Sequence, residues 1–433
     1  MEKRDIAVTV QNFVQFYSIK KGIDELIKRN YKVDIYIPHT DDASGIGKMY
    51  DETYNELINT NYSLKRNTDK NLSYKVLLEP YPMDIFLKFN FDYRLKYKYS
   101  LLSAKPNLVY RPEDNIYYDA ILCYSPYDAN FLNVYSKTEL IGNLKYINFK
   151  RNPEHSVKPI LLYLPTYGDV SSIDSIIKQL DKLKDKYYLV TKLHHGTSSL
   201  VNEAERIEKL KNISDECYNH TTELAKLLEK ADVVLSDNSG AIFETLYAQV
   251  PLAIFSENIN KNKLGNLDTT QYKLVQENYI PYTNDVNQIE NVLELAMSNE
   301  YIVKQKELSN NLFYRPESPV KEFADLIEKY LTNNVDLTFK QVHDVLVNDY
   351  VTKIEHINEL QTTLANSNTD YNQLQSILNG KNLQIQNLEN NIKEKDCIIM
   401  YYETGKLYKI SKKIYNLYFK IFKRSKKWTK KNK

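Results

Sequence analysis

The stretch ADVVLSDNSGAIFETLYAQVPLAIF occupies residues 231–255. A β-branched apolar run, DVVL, gives way to a small polar turn from Ser236 to Gly240. A helical segment, AIFETLYAQ, follows, and a second short apolar run, VPLAIF, closes the stretch. Strand, polar turn, helix and strand in this order are the repeating unit of a parallel α/β sheet.

The same grammar runs upstream. KPILLYLPTYGD (158–169) reads as a strand with a Pro/Gly-rich end, followed by a helix over 171–184. YYLVTKLHHG (187–196) reads as a strand, followed by a helix over 199–211. TELAKLLEKA and the segments 286–297 and 317–332 read as further helices. The first third of the chain repeats the pattern. Strands are expected at 5–10, in YKVDIYIP, in YKVLLEPYP and in AILCYS; helices at 13–29, 46–59 and in PYDANFLNVY. The polar, Pro-containing FKRNPEHSVK joins the halves. We therefore expect one α/β domain over 1–150 and a second over 158–335, facing a cleft, a common place for a ligand.

In parallel sheets, ligands sit at the carboxyl ends of the strands. The chain has only 10 glycines, and Gly142, Gly168, Gly196 and Gly240 fall at such ends or turns. Glycine lets the backbone approach a ligand closely, and the helix that follows offers unpaired N–H groups and a positive dipole end. Together these make a rim suited to a diphosphate. Its candidate side chains are Thr166; His194, Gly196, Thr197 and Ser198; and Asp237, Ser239 and Gly240. Glu244, an acceptor when ionised, suits ribose hydroxyls. The plain alternative for SDNSGAIFE is a helix start that needs no ligand. Of the adjacent His194 and His195, strand alternation would send one to the cleft and the other away; we expect His194 in the cleft and His195 as a bystander. No residue spacing suggests a metal site.

The order KPILLYLPTYGD, TKLHHG, ADVVLSDNSGAIFETLYAQVPLAIF resembles the donor half of the CDP-glycerol glycerophosphotransferases that build teichoic acids. It is similar also to the wider GT-B glycosyltransferases and the UDP-N-acetylglucosamine 2-epimerases, and ELIGNLKY resembles their Gly-Asn segment. The resemblance implies two Rossmann-like domains of GT-B type. It places His194 on the donor phosphates, Ser239 and Gly240 beside them and Glu244 near the ribose. It implies no cofactor: a CDP- or UDP-linked donor is a substrate. The family's His-Gly-Thr-Pro motif, whose histidine is thought to activate the acceptor, is absent; LVYRPEDNIYYD stands in about that place. The candidates for a catalytic base are His39, Glu113 and Asp114.

The three cysteines are far apart, with neither zinc-ligand nor disulfide spacing. No apolar run approaches a membrane span and the N-terminus does not read as a signal peptide. From Lys406 onward there are 12 basic and no acidic residues, which leaves the body at a net −10; an acidic body argues against nucleic acid as partner. In this tail, expected over 405–433, apolar, aromatic and basic residues coincide at helical spacing, among them Lys412, Lys413, Phe419, Lys423, Arg424 and Trp428. That is the pattern of an amphipathic helix lying on an anionic membrane. Between them, 342–400 keeps a 3-4 apolar spacing that predicts a coiled coil, a rod of roughly 75 Å over 350–400, pairing with itself or a partner helix. The expected function is transfer of a sugar or polyol phosphate to a glycan or lipid-linked acceptor, as in bacterial teichoic acid or capsule synthesis, at the cytoplasmic face of the membrane. A nucleotide-sugar 2-epimerase and a non-catalytic binding scaffold are the alternatives.

Overall fold

The computed structural model describes residues 2–40, 45–66, 72–83, 89–99, 114–152, 157–199, 203–257, 277–335, 337–366 and 371–403. The first sheet holds β1 (Glu2–Thr9), β2 (Val33–Tyr36), β3 (Ser63–Lys65), β4 (Leu72–Glu79), β5 (Asn90–Tyr97), β6 (Ala120–Cys123) and β7 (Thr138–Leu140). Its order is β3-β2-β1-β4-β5-β6-β7. The second holds β8 (Ile160–Leu164), β9 (Tyr188–Lys192), β10 (Glu216–Tyr218), β11 (Val233–Ser236), β12 (Leu252–Phe255) and β13 (Tyr282–Thr283). Its order is β10-β9-β8-β11-β12-β13. Both sheets are parallel throughout. The fold is α/β with two parallel sheets.

Central strands are buried on both faces, which is why they read as unbroken apolar runs. In β8, Leu161 and Tyr163 join one core with Ile176 and Leu180 of α4 (Ile173–Leu183). Their neighbours Leu162 and Leu164 point the other way. There they pack with Ile242 and Leu246 of the second half and with Tyr118, Ile121, Tyr124 and Tyr146 of the first. One apolar cluster thus belongs to both sheets and holds their carboxyl ends toward a shared cleft.

The remaining described helices are α1 (Phe13–Lys28), α2 (Ile46–Leu57), α3 (Pro126–Leu132), α5 (His195–Ser199), α6 (Ala204–Ile213), α7 (Leu224–Lys230), α8 (Ala241–Ala248), α9 (Ile289–Ala296), α10 (Asn299–Leu312), α11 (Pro319–Leu331), α12 (Leu337–Asn366) and α13 (Tyr371–Glu403). The sequence reading missed β3, β5, β7, β10, β13 and α10. It also read the start of α5 as the end of a strand. A larger correction concerns α11, expected at the end of the second domain. Its apolar face, Phe323, Ala324, Leu326, Ile327 and Tyr330, is buried in the core of the first sheet with Ile6, Ile23 and Leu78. Arg29 beside α1 fixes it from outside, with Nη1 2.8 Å from Asp325 and 2.8 Å from Glu328. The second domain of 158–335 therefore returns its last helix to the first.

The chain divides into two compact units, 1–343 and 344–433. In the second unit the expected single rod is two helices. Lys353 and Ile357 of α12 line one groove with Gln384, Ile385 and Leu388 of α13, so the helices lie side by side. None of the residues over 344–362 and 378–393 is buried. The tail candidates Lys412, Lys413, Phe419, Lys423, Arg424 and Trp428 lie outside the described residues, as does Glu113. Among the described residues no helix is long and apolar enough to cross a membrane.

The α1–α11 contact depends on a glycine. A Cβ at Gly22 would lie 2.5 Å from Cε1 of Phe323, whose ring is fully buried. Alanine would gain about 1 kcal/mol of helix propensity, but overpacking costs about 1–3 kcal/mol and the ring has nowhere to go. Gly22→Ala is expected to lower the urea midpoint with an unchanged m value; a raised midpoint would show that α11 can shift.

Candidate functional site

The carboxyl ends of β8, β9 and β11 meet α1 and the 141–147 connector around a cavity of about 100 Å³. From the second half it is lined by Leu164, Lys192, His194, His195, His220, Ser239, Gly240 and Glu244; from the first by Val14, Tyr17, Tyr99 and Lys145.

Strand β9 stops at Lys192, because α5 begins three residues later at His195. Strand alternation therefore does not govern the two histidines, and His195 does not face away as expected: both residues line the cavity. The ring of His194 is stacked on Tyr167 at 4.7 Å and lies 4.0 Å from that of His195. Its Nδ1 accepts the Gly196 N–H at 3.0 Å. Gly196 is needed here for space, since a Cβ would sit 2.7 Å from the Tyr167 ring. Burial, His195 and Lys192 together hold the His194 pKa well below its ordinary value. Burial, Lys192 and His220 hold His195 to about 4. Both imidazoles are neutral at pH 7.

Lys192 was not among the sequence candidates. Its charge ending an apolar strand was the signal. The side chain is buried, and no described residue makes an ion pair or hydrogen bond with its Nζ. Burial lowers its pKa to about 8, with Glu244 opposing and Lys145 assisting. Glu244 is committed elsewhere. Its Oε2 takes Lys145 Nζ at 2.8 Å and the Tyr146 hydroxyl at 2.8 Å, both from the connector.

The other rim residues build the wall. Asp237 is fully buried and accepts from Thr166 N–H at 2.8 Å, Ser172 N–H at 3.0 Å and the Ser172 hydroxyl at 2.9 Å. It ties the turn after β8 to the end of β11. Burial outweighs those hydrogen bonds and raises its pKa to about 6. Ser239 accepts the Ala241 N–H at 3.2 Å, just before Gly240, the N-cap residue of α8. Thr197 is buried, and its hydroxyl finds no partner among the described residues. Ser198 opens the second turn of the short α5. His39 stands apart from the cavity lining, with Nδ1 3.0 Å from Arg66 Nη1 and 3.5 Å from Asp51. Asp114 meets Lys96 through its backbone carbonyl.

His220 is the other residue the sequence did not single out. It follows β10 and reaches across the cleft, with Nε2 3.2 Å from Oε2 of Glu52 in α2. The neighbouring Thr221 carbonyl accepts the Tyr17 hydroxyl at 3.3 Å. No motif marks this pair, which only the folded chain brings together. Among the described residues no cluster could hold a metal ion.

Comparison with solved structures finds the wall teichoic acid polymerase TagF, with TM-score 0.52 and 14% identity over 77% of this chain and 90% of that one. A TagF variant soaked with CDPG matches at TM-score 0.54 and 13% identity, over 76% and 89%. A putative UDP-N-acetylglucosamine 2-epimerase from Listeria monocytogenes matches at TM-score 0.50 and 12% identity, over 76% and 97%. At such identities the likeness is one of fold, and the fold is GT-B-like. Comparison with protein-family models finds no match, and comparison with curated proteins finds none.

Truncating Glu244 would strand Lys145 in a buried site. Glu244→Ala is expected to cost about 3–5 kcal/mol in urea unfolding, and Glu244→Leu with Lys145→Met to recover much of it. Additive losses in the double variant would contradict this.

Proposed function

We propose that the chain is a transferase that moves a sugar or polyol phosphate from a CDP- or UDP-linked donor to a glycan or lipid-linked acceptor. This is chemistry of the teichoic acid and capsule kind. The carrying observation is Lys192. A buried ammonium without an ion-pair partner, ringed by His194, His195 and the start of α8, suits a bound anion. The cavity of about 100 Å³ is small beside the roughly 300–1,000 Å³ of ordinary ligand pockets. It fits the phosphate end of a nucleotide, with the nucleoside in the open cleft. Glu244 keeps Lys145 neutralised and leaves Lys192 to the phosphates. His194 contributes an Nε2–H donor. The leaving diphosphate would be stabilised by these groups with no metal assigned a role. In this reading the basic tail holds the enzyme at an anionic membrane surface, beside a lipid-linked acceptor.

The test is a thermal-shift panel of CDP, UDP, GDP and CMP on the full chain, since a ligand of the folded state raises its midpoint. At least one is expected to raise the midpoint at millimolar concentration, and Lys192→Ala to weaken its binding about 10–100-fold. No shift from any of the four would sink the reading.

The pH dependence has a definite sign. Lys192 is charged below its pKa of about 8, and a bound anion raises that pKa. The complex then holds more protons than the free protein. Affinity should fall above pH 8, by up to about tenfold per unit, and Lys192→Ala should abolish that slope. An unchanged slope would exclude Lys192 as its source.

A further inference from the structure

Two buried carboxylates fix the loop between β8 and α4 on either side of one tyrosine. Asp237 accepts the Thr166 N–H at 2.8 Å and holds Ser172 at the far end. Glu203, fully buried at the start of α6, accepts the Gly168 N–H at 3.1 Å. Arg206 donates to the Gly168 carbonyl at 3.0 Å and to Glu203 at 2.7 Å. Gly168 has a φ of +70°, in the left-handed region that favours glycine, and turns the chain directly after Tyr167. The ring of Tyr167 is fixed as well. It stacks on His194 and lies against the Gly196 backbone, where a Cβ would come within 2.8 Å of three ring carbons. With both neighbours in place Tyr167 is still 38% exposed. A rigid aromatic ring left open beside a cleft can stack a ligand with little further ordering.

The place of the ring decides what it meets. His194 lines the cavity with Lys192, and Tyr167 is the next ring beyond His194. Tyr99 of the first half lines the same cavity. Burial raises its pKa and the Tyr167 hydroxyl adds to this, so the two hydroxyls feel each other across the cleft. With the phosphates on Lys192, a nucleobase is held away from them by its ribose, whereas a transferred sugar is bonded to the outer phosphate directly. A pyranose carries axial C–H groups on a flat side, and these lie well on the electron-rich face of an aromatic ring. An open-chain polyol has no such side. We propose that Tyr167 is the platform for a pyranose ring carried by the donor, so that the transferred group is a sugar rather than an open-chain polyol phosphate; this rests on the transferase reading above. The two carboxylates behind the loop hold that platform in position before the ligand arrives.

The experiment measures dissociation constants on the full chain for UDP, UDP-glucose and UDP-N-acetylglucosamine, and for CDP, CDP-glucose and CDP-glycerol. Tyr167→Ala and Tyr167→Leu are expected to weaken at least one sugar-bearing donor about 10-fold. Both should leave the bare nucleotides and CDP-glycerol within about twofold of wild type. Tyr167→Phe keeps the ring and should bind every probe as the wild type does. The leucine variant fills the space and controls for folding, and the bare nucleotides report any disturbance of His194. Four outcomes overturn the assignment: no sugar-bearing donor bound or weakened while a nucleotide still binds, equal weakening of a bare nucleotide and its sugar, equal weakening of CDP-glycerol, or a phenylalanine variant as impaired as the alanine one. A wild type that binds none of the six compounds overturns the transferase reading itself, and the platform with it.

Discussion

A single carboxylate oxygen, Oε2 of Glu244, sets the electrostatics of the cleft by accepting from both Lys145 and Tyr146. Glu244 lies in the first turn of the helix that follows β11, while its two donors come from the connector that leaves the first sheet. The pair is buried, so its members must stay matched. With Lys145 satisfied, Lys192 is left as the one cation on the cavity lining without an ion pair among the described residues. The three imidazoles that share the lining are held neutral by burial and by that same cation. The cleft thus carries a net positive charge with donors already oriented, a preorganised site for negative charge.

The cleft exists because the sheets share a core. Strands of the second sheet turn alternate residues toward Tyr118, Ile121 and Tyr146 of the first half. Asp237 then shapes the rim from behind by holding Thr166 and Ser172. Much of what looked like ligand chemistry in SDNSG is this scaffolding. Asp237 braces a loop from behind, while His194, Ser239, Gly240 and Glu244 sit on the cavity lining itself.

The sheets were legible where both faces of a strand are apolar, as in ILLYL and VVLS. They were illegible where burial is carried by paired charges. Strand β5, NFDYRLKY, hides Arg94 against Glu79 and Lys96 against Asn115, so its sequence lacks the apolar run of a buried strand. The edge strands β3, β10 and β13 have three residues or fewer, too short for any periodicity. Of the glycine-marked strand ends, Gly240 lies on the cavity lining and Gly196 directly follows His194 and His195, which also line it. The reading of His195 failed because strand geometry was extended past Lys192 into a helix. Lys192 and His220 escaped for different reasons: the first was visible as a misplaced charge, the second depends on a contact between residues 52 and 220 that no local pattern encodes.

The return of α11 to the first sheet has a mechanical consequence. The backbone crosses between the halves twice, once through 147–159 and again through 312–319. Parting the two halves would therefore mean breaking the shared apolar cluster and stretching both crossings at once, so residues 1–343 hold together as one compact unit.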